Sequence, residues 1–120
     1  MPVKNITDVS LKKVEAGRHT HTQVLIGPNE GPNFAMRRFV MEPGGGIPPH
    51  INKVEHEQYV LSGRAKVGIG DEVFEVKKDD VVFIPAGVPH YYEVLGSDSF
   101  EFLCVVPNKE DEISMVKKDD

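Results

Sequence analysis

Short β-branched and aromatic segments separated by turn residues at close spacing run through almost the whole chain, and no stretch from Val3 to Pro107 carries a helical hydrophobic period of useful length. The segments expected as strands are 19–26, 34–42, 47–52, 56–61, 65–70, 73–76, 81–84, 90–94 and 100–106. Their separators are rich in Gly, Pro, Asn and Asp, as in Gly27-Pro28-Asn29, Pro43-Gly44-Gly45-Gly46, Gly70-Asp71, Lys78-Asp79-Asp80, Pro85-Ala86-Gly87 and Gly96-Ser97-Asp98-Ser99. So many short strands in 120 residues must close on themselves or pack as two sheets, because open edges invite aggregation. The expectation is an all-β single domain, a small barrel or jelly roll over residues 1–107, followed by a charged carboxy-terminal tail over 108–120. That tail, NKEDEISMVKKDD, is read as frayed or as a short final turn.

Composition removes several function classes. The 14 Lys and Arg against 19 Asp and Glu give a net charge of -5, and the basic residues fall in scattered pairs. Phosphate backbones need a concentrated basic footprint, so nucleic acid is not expected as a partner. No apolar run approaches the roughly 18 to 20 residues that span a bilayer, and no membrane role is expected. The single cysteine, Cys104, rules out an intramolecular disulfide. Together with the absence of a signal-like start, it points to the cytoplasm.

The chemistry gathers in two segments, GGGIPPHINKVEHEQYVLSG over 44–63 and IPAGVPH over 84–90. Residues two apart on a strand share a face, so His50 and Asn52 point one way, and His56, Gln58 and Val60 form a second inward set with Glu55 and Glu57 turned out. Brought together by a barrel, His50, His56 and His90 would supply the converging imidazoles a divalent transition metal needs. Each histidine alone is an ordinary polar residue; the spacing of the group gives the joint reading its weight.

These residues resemble the two signature motifs of the cupin superfamily. Gly44, His50, Asn52, His56 and Gly63 fall at the spacings of the first motif, with asparagine at its second histidine and histidine at its glutamate. Asp79, Pro85, Gly87, His90 and Val94 fall at those of the second, which keeps its Pro-x-Gly-x-x-His heart while its outer glycine and asparagine are replaced. PNFAMRRFVMEPGG, EHEQYVLSG and SDSFEFLCVVP further resemble the small single-domain cupins that bind manganese or a similar ion through four histidines. In that subgroup a histidine replaces the usual glutamate, so His56 conforms and Asn52 departs.

The resemblance implies a cupin-type β-barrel that forms a homodimer and holds one divalent metal ion, Mn first and Fe, Ni, Zn or Cu as alternatives, at His50, Asn52, His56 and His90. It further implies a metal-dependent enzyme with dioxygenase-like or Lewis-acid chemistry on a small oxygen-donor ligand, anionic by preference. The rival is a non-enzymatic module that binds a small ligand or senses metal; a metal-free barrel with mutually hydrogen-bonded histidines is a third reading. Asn52 leaves three arrangements open, ranked in this order: three histidines completed by water, three histidines plus the asparagine oxygen, or a site too weak to keep metal.

Other residues carry less. His19 and His21 form the only His-x-His and are read as a solvated strand face or dimer contact. Cys104 alternates with Phe100, Phe102 and Val106 and is read as an inward pocket-wall residue. Packing is expected for at least two of Tyr59, Tyr91 and Tyr92. Of Arg37 and Arg38, adjacent on a strand, one should face in; each is read singly as a surface residue, and one at the barrel mouth would clamp a substrate carboxylate.

Overall fold

The computed structural model describes residues 2–109, 111 and 113–116. Its elements are β1 (Lys12–Lys13), β2 (Arg18–Ile26), β3 (Phe34–Asn52), β4 (His56–Ser62), β5 (Arg64–Ile69), β6 (Glu72–Lys77), β7 (Val81–Ile84), β8 (His90–Leu95), β9 (Phe100–Pro107) and β10 (Ile113–Met115), preceded by a 3-10 turn at Ile6–Asp8. All strand pairings are antiparallel, in the order β6-β5-β8-β3-β9-β4-β7. The all-β jelly-roll expectation therefore holds.

The main departure concerns 43–46. Pro43-Gly44-Gly45-Gly46 reads as a turn between two strands, yet the chain runs on as one long strand and uses the glycines as a corner. Before the corner, Phe34 to Met41 pairs with β9; after it, Gly46 to His50 pairs with β8. β3 thus joins the two halves of the curled sheet. Gly44 has φ of 81° and Gly46 φ of 156°, and a Cβ on Gly46 would stand 2.2 Å from the Tyr92 carbonyl oxygen. Glycine is needed where two backbones approach so closely.

The turns follow their chemistry. Gly70-Asp71 closes the β5–β6 hairpin between the register partners Ile69 and Glu72, with Gly70 at φ 61°. Gly63, between β4 and β5, has φ of 79°, and a Cβ there would lie 2.2 Å from the Ser99 carbonyl oxygen. Gly63→Ala combines left-handed strain with a clash against backbone that cannot step aside, so we expect a loss of about 2–4 kcal/mol of folding stability in urea denaturation.

Strand alternation builds the interior. In β4 the burial runs His56, Gln58 and Val60 in, with Glu57 and Tyr59 out; in β9 it runs Phe100, Phe102, Cys104 and Val106 in. Phe100, Phe102, Met41, Ile84, Val60 and Val67 are the large apolar side chains fully withdrawn from solvent. In the carboxy-terminal stretch, Ile113–Met115 forms β10 and pairs with Asn52, Ile51 and His50 of β3, so part of the segment read as a tail lies beside the histidine strand. Residues 110, 112 and 117–120 of that stretch lie outside the described residues.

Candidate functional site

The register fixes what meets inside. His50 is paired with His90 across β3 and β8, and Ile47 with Tyr92. On the opposite half, Gln58 and Arg37 flank Cys104 in one row across β4, β9 and β3, and Val60 and Phe39 flank Phe102 in the next. The curl brings the halves face to face around a cavity of about 270 Å3 lined by His50, Asn52, His56, His90, Gln58 and Tyr92, together with Arg37, Phe39 and Phe102. The metal-ligand candidates expected from the sequence therefore share one cavity. A larger cleft of about 700 Å3 between the amino-terminal segment and β2, lined by Lys4, Ile6 and Glu30 among others, contains none of them.

All four candidates are buried. The His50 and His90 ring centres are 4.1 Å apart, and those of His56 and His90 5.8 Å. His50 Nδ1 is 2.9 Å from the Pro48 carbonyl oxygen and His90 Nδ1 is 3.1 Å from that of Val88. A carbonyl only accepts, so each Nδ1 carries the proton and each Nε2 is left with a free lone pair. His56 Nδ1 lies 3.4 Å from Cys104 Sγ. The buried Nε2 atoms of His56 and His90, and Oδ1 of Asn52, have no hydrogen-bond partner.

Asn52 is oriented from behind. Its Nδ2 donates to Asp111 Oδ2 at 3.2 Å, while the Lys53 backbone N–H donates to Asp111 Oδ1 at 2.8 Å. A carboxylate only accepts, so the amide NH2 must face Asp111, which leaves the amide oxygen as the unpartnered atom. No Asp or Glu lines the cavity among the described residues.

Electrostatics keep the cluster neutral. Burial, reinforced by the charge of Arg37 and by His90, drives the His56 imidazole down to about 3. Burial and the neighbouring His50 take His90 down to about 4, and burial also lowers His50 against the opposing pull of its hydrogen bond to Pro48. Burial raises the Tyr92 hydroxyl and the Cys104 thiol above their ordinary values. Gln58 Nε2 donates to the Tyr92 hydroxyl oxygen at 2.6 Å.

The donor set suits a divalent ion: neutral imidazoles with lone pairs free, an amide oxygen, and no hydrogen bonds to break. Imidazoles sharing an ion at roughly 2.0–2.1 Å hold their ring centres about 5 Å apart, a value that the separations of 4.1 and 5.8 Å straddle. As placed, no group of three His, Cys, Asp or Glu side chains among the described residues is close enough to hold a metal; Asn52 lies outside that donor set. Ring rotations would have to complete the convergence.

Other residues fall as follows. His19 is exposed, and His21 is partly exposed with Nδ1 3.9 Å from Glu42. Tyr59 is an outward residue donating to Asp79 Oδ1 at 2.7 Å, whereas Tyr92 is a cavity wall. Cys104 is wholly buried. Arg38 is bound to Glu101 and to Gln23 Oε1. Arg37, read singly as a surface residue, instead lines the cavity with its Nε buried and unpartnered. Its inward face was legible only once the β3–β9 register placed it beside Cys104. The role of Asp111 had no sequence signal, because nothing in a charge-rich tail marks a return to β3.

A jelly roll with buried imidazoles drawn from β3, β4 and β8 defines a barrel of the cupin class. The cupin domain pattern matches residues 37–106, and the chain belongs to the cupin family. An uncharacterised protein of Methanocaldococcus jannaschii is 40% identical over 83 residues, which are 67% of this chain and 66% of that protein; the chain thus spans about two thirds of that relative. The solved polyketide cyclase RemF of Streptomyces resistomycificus is 30% identical with a TM-score of 0.89, covering 100% of this chain and 88% of that one. A cupin-2 domain protein of Rhodospirillum rubrum is 28% identical with a TM-score of 0.83, over 92% of this chain and 77% of that one. Among the described residues no helix is long and apolar enough to cross a membrane.

Proposed function

We propose that this chain is a small metal-dependent cupin of the manganese-type subgroup, which holds one divalent ion through His50, His56 and His90 with the Asn52 amide oxygen as fourth donor. Mn is the first candidate and Fe, Ni, Zn or Cu the alternatives. The observation that carries this reading is the set of unpartnered buried atoms around one cavity: Nε2 of His56, Nε2 of His90 and Oδ1 of Asn52. Buried polar atoms without partners are costly, and a cluster of them in a family that shares this fold points to a ligand common to all three. The inward Asn52 oxygen favours the asparagine-ligated arrangement over the water-completed one ranked first from sequence.

When bound, such an ion supplies Lewis-acid polarisation of an oxygen donor, with redox chemistry open to iron or manganese. The protein's own part is to fix the imidazoles through the Pro48 and Val88 carbonyls and to keep them neutral by burial. With no carboxylate donor, the site retains the full charge of the ion and favours an anionic or enolate-forming ligand. The likeness to a polyketide cyclase supports the non-redox branch over dioxygenase-like chemistry. Cytoplasmic residence and a homodimer built on the amino-terminal strands and outer sheet belong to the same reading; Val24, Ile26 and Phe34 are exposed there.

A binding or metal-sensing module is the second reading. One observation favours it: His56 and His90 titrate well below neutrality and Tyr92 and Cys104 are raised above their ordinary values, so none of these four is poised as a general acid or base near pH 7. Asn52→His tests the ligand assignment. Imidazole is the better donor to borderline ions, so chelator competition should show metal held about 10- to 100-fold more tightly than in wild type. Unchanged retention would mean that position 52 does not face the ion.

A further inference from the structure

Two arginines stand side by side on β3 with opposite fates. Arg38 has its charge answered by Glu101 and donates a hydrogen bond to Gln23 Oε1. Arg37 lines the cavity, makes no ion pair among the described residues and keeps a buried, unpartnered Nε. Its guanidinium carbon lies 5.4 Å from the centre of the Phe39 ring. Phe39 stacks on Phe102 at 5.1 Å, and Phe102 stacks on Tyr92 at 5.3 Å. The Tyr92 ring in turn lies 5.9 Å from that of His90 and 6.4 Å from that of His50. The aromatic shelf therefore runs round the cavity from Arg37 to His90 and His50, while Arg37 also stands near enough to His56 for its charge to act on that imidazole.

The charge balance of this cavity is one-sided. Lys13 at the rim is a second cation lining the cavity, and among the described residues no carboxylate does so. A half-buried guanidinium with no ion pair among the described residues and an unpartnered Nε can turn a fork of N–H groups to two oxygens, and carboxylate matches that fork in plane and spacing. The aromatic faces favour a flat body, and about 270 Å3 admits only a small one.

We propose that the cavity selects a small planar carboxylate, an aromatic or enolic acid whose carboxylate is held by Arg37 over the Phe39–Phe102–Tyr92 shelf while a second oxygen turns toward His50, His56 and His90. The part played by the second oxygen rests on the metal-binding reading above; the Arg37 clamp does not. Arg37 is thus a specificity-determining residue, and the neutral amide of the same acid is discriminated against.

The test is calorimetric titration of the full chain with salicylate, salicylamide and benzoate, each run on chelator-treated and on Zn2+-supplemented protein, for wild type, Arg37→Gln and Arg37→Lys. Salicylate should bind wild type about 10- to 100-fold more tightly than salicylamide, Arg37→Gln should abolish that preference, and Arg37→Lys should keep only part of it. Should Arg37→Gln melt early, the reduced preference of Arg37→Lys carries the test. Zn2+ should strengthen salicylate more than benzoate, which lacks the second oxygen. If Zn2+ changes nothing while the Arg37-dependent preference persists in chelator-treated protein, the metal reading fails and the clamp stands. Equal binding of salicylate and salicylamide, retention of the preference in Arg37→Gln, or no binding of either acid to wild type would overturn the proposal.

Discussion

His90→Ala is expected to abolish stoichiometric metal retention while the barrel still folds. His90 occupies the centre of the cluster, with His50 at 4.1 Å and His56 at 5.8 Å between ring centres, and its Nε2 is one of the unpartnered donors. Losing a supporting residue behind a metal ligand typically costs 10- to 100-fold in affinity, and losing the ligand itself should cost more than that. The fold should survive because the deleted ring sits on a cavity wall, and the core of Phe100, Phe102, Met41 and Val60 is untouched. Elemental analysis paired with a thermal melt reads both parts. A variant that keeps its metal at wild-type affinity would remove His90 from the ligand set.

Metal-free protein should lose stability steeply in mild acid. His56 and His90 have folded-state values near 3 and 4, against about 6.5 in the unfolded chain. Above pH 6.5 both states are neutral and the imidazoles make no difference. Below it the unfolded chain takes up protons that the folded cavity refuses, so folding weakens as pH falls from 6.5 to about 4 and levels off below the folded values. The loss by pH 4 is on the order of 3 kcal/mol from each of the two residues, with His50 adding in the same direction. Against a typical total of roughly 5–15 kcal/mol, that is enough to bring the acid transition close to pH 4. Urea denaturation at pH 7, 5.5 and 4 should show this slope in chelator-treated wild type and a shallower one in His56→Gln. A flat profile would mean that the imidazoles are solvated or already charged in the fold.

Much of this geometry is legible in the sequence, and the illegible part has definite physical causes. Period-2 alternation told inward from outward in β4 and β9, because one face of each strand is buried and a slip by one residue would invert it. The same logic placed His50 and Asn52 on one face. The glycine-rich corner at 43–46 misled, since close-spaced Pro and Gly signal a turn whether the chain reverses or merely bends. Only the change of partner from β9 to β8 distinguishes the two. Alternation required one of Arg37 and Arg38 to face in, but which one depends on cross-strand register, and Arg37 pairs with the buried Cys104. Asp111 escaped notice because β10 is set by pairing with β3, which no local pattern reports.

Asn52 is where these levels meet. The sequence marks it as a departure from four histidines; the structure shows its NH2 taken by Asp111 and its oxygen left without a partner in the cavity. An asparagine held this way is a defined, if weaker, oxygen donor, which suits the proposed site with a fully charged ion and an anionic ligand.

The decisive measurement is the metal content of the full chain purified without an affinity tag or added metal. About one divalent ion per chain is the predicted result. No bound ion, together with no rise in melting temperature on adding Mn2+, Fe2+, Ni2+ or Zn2+, would contradict it.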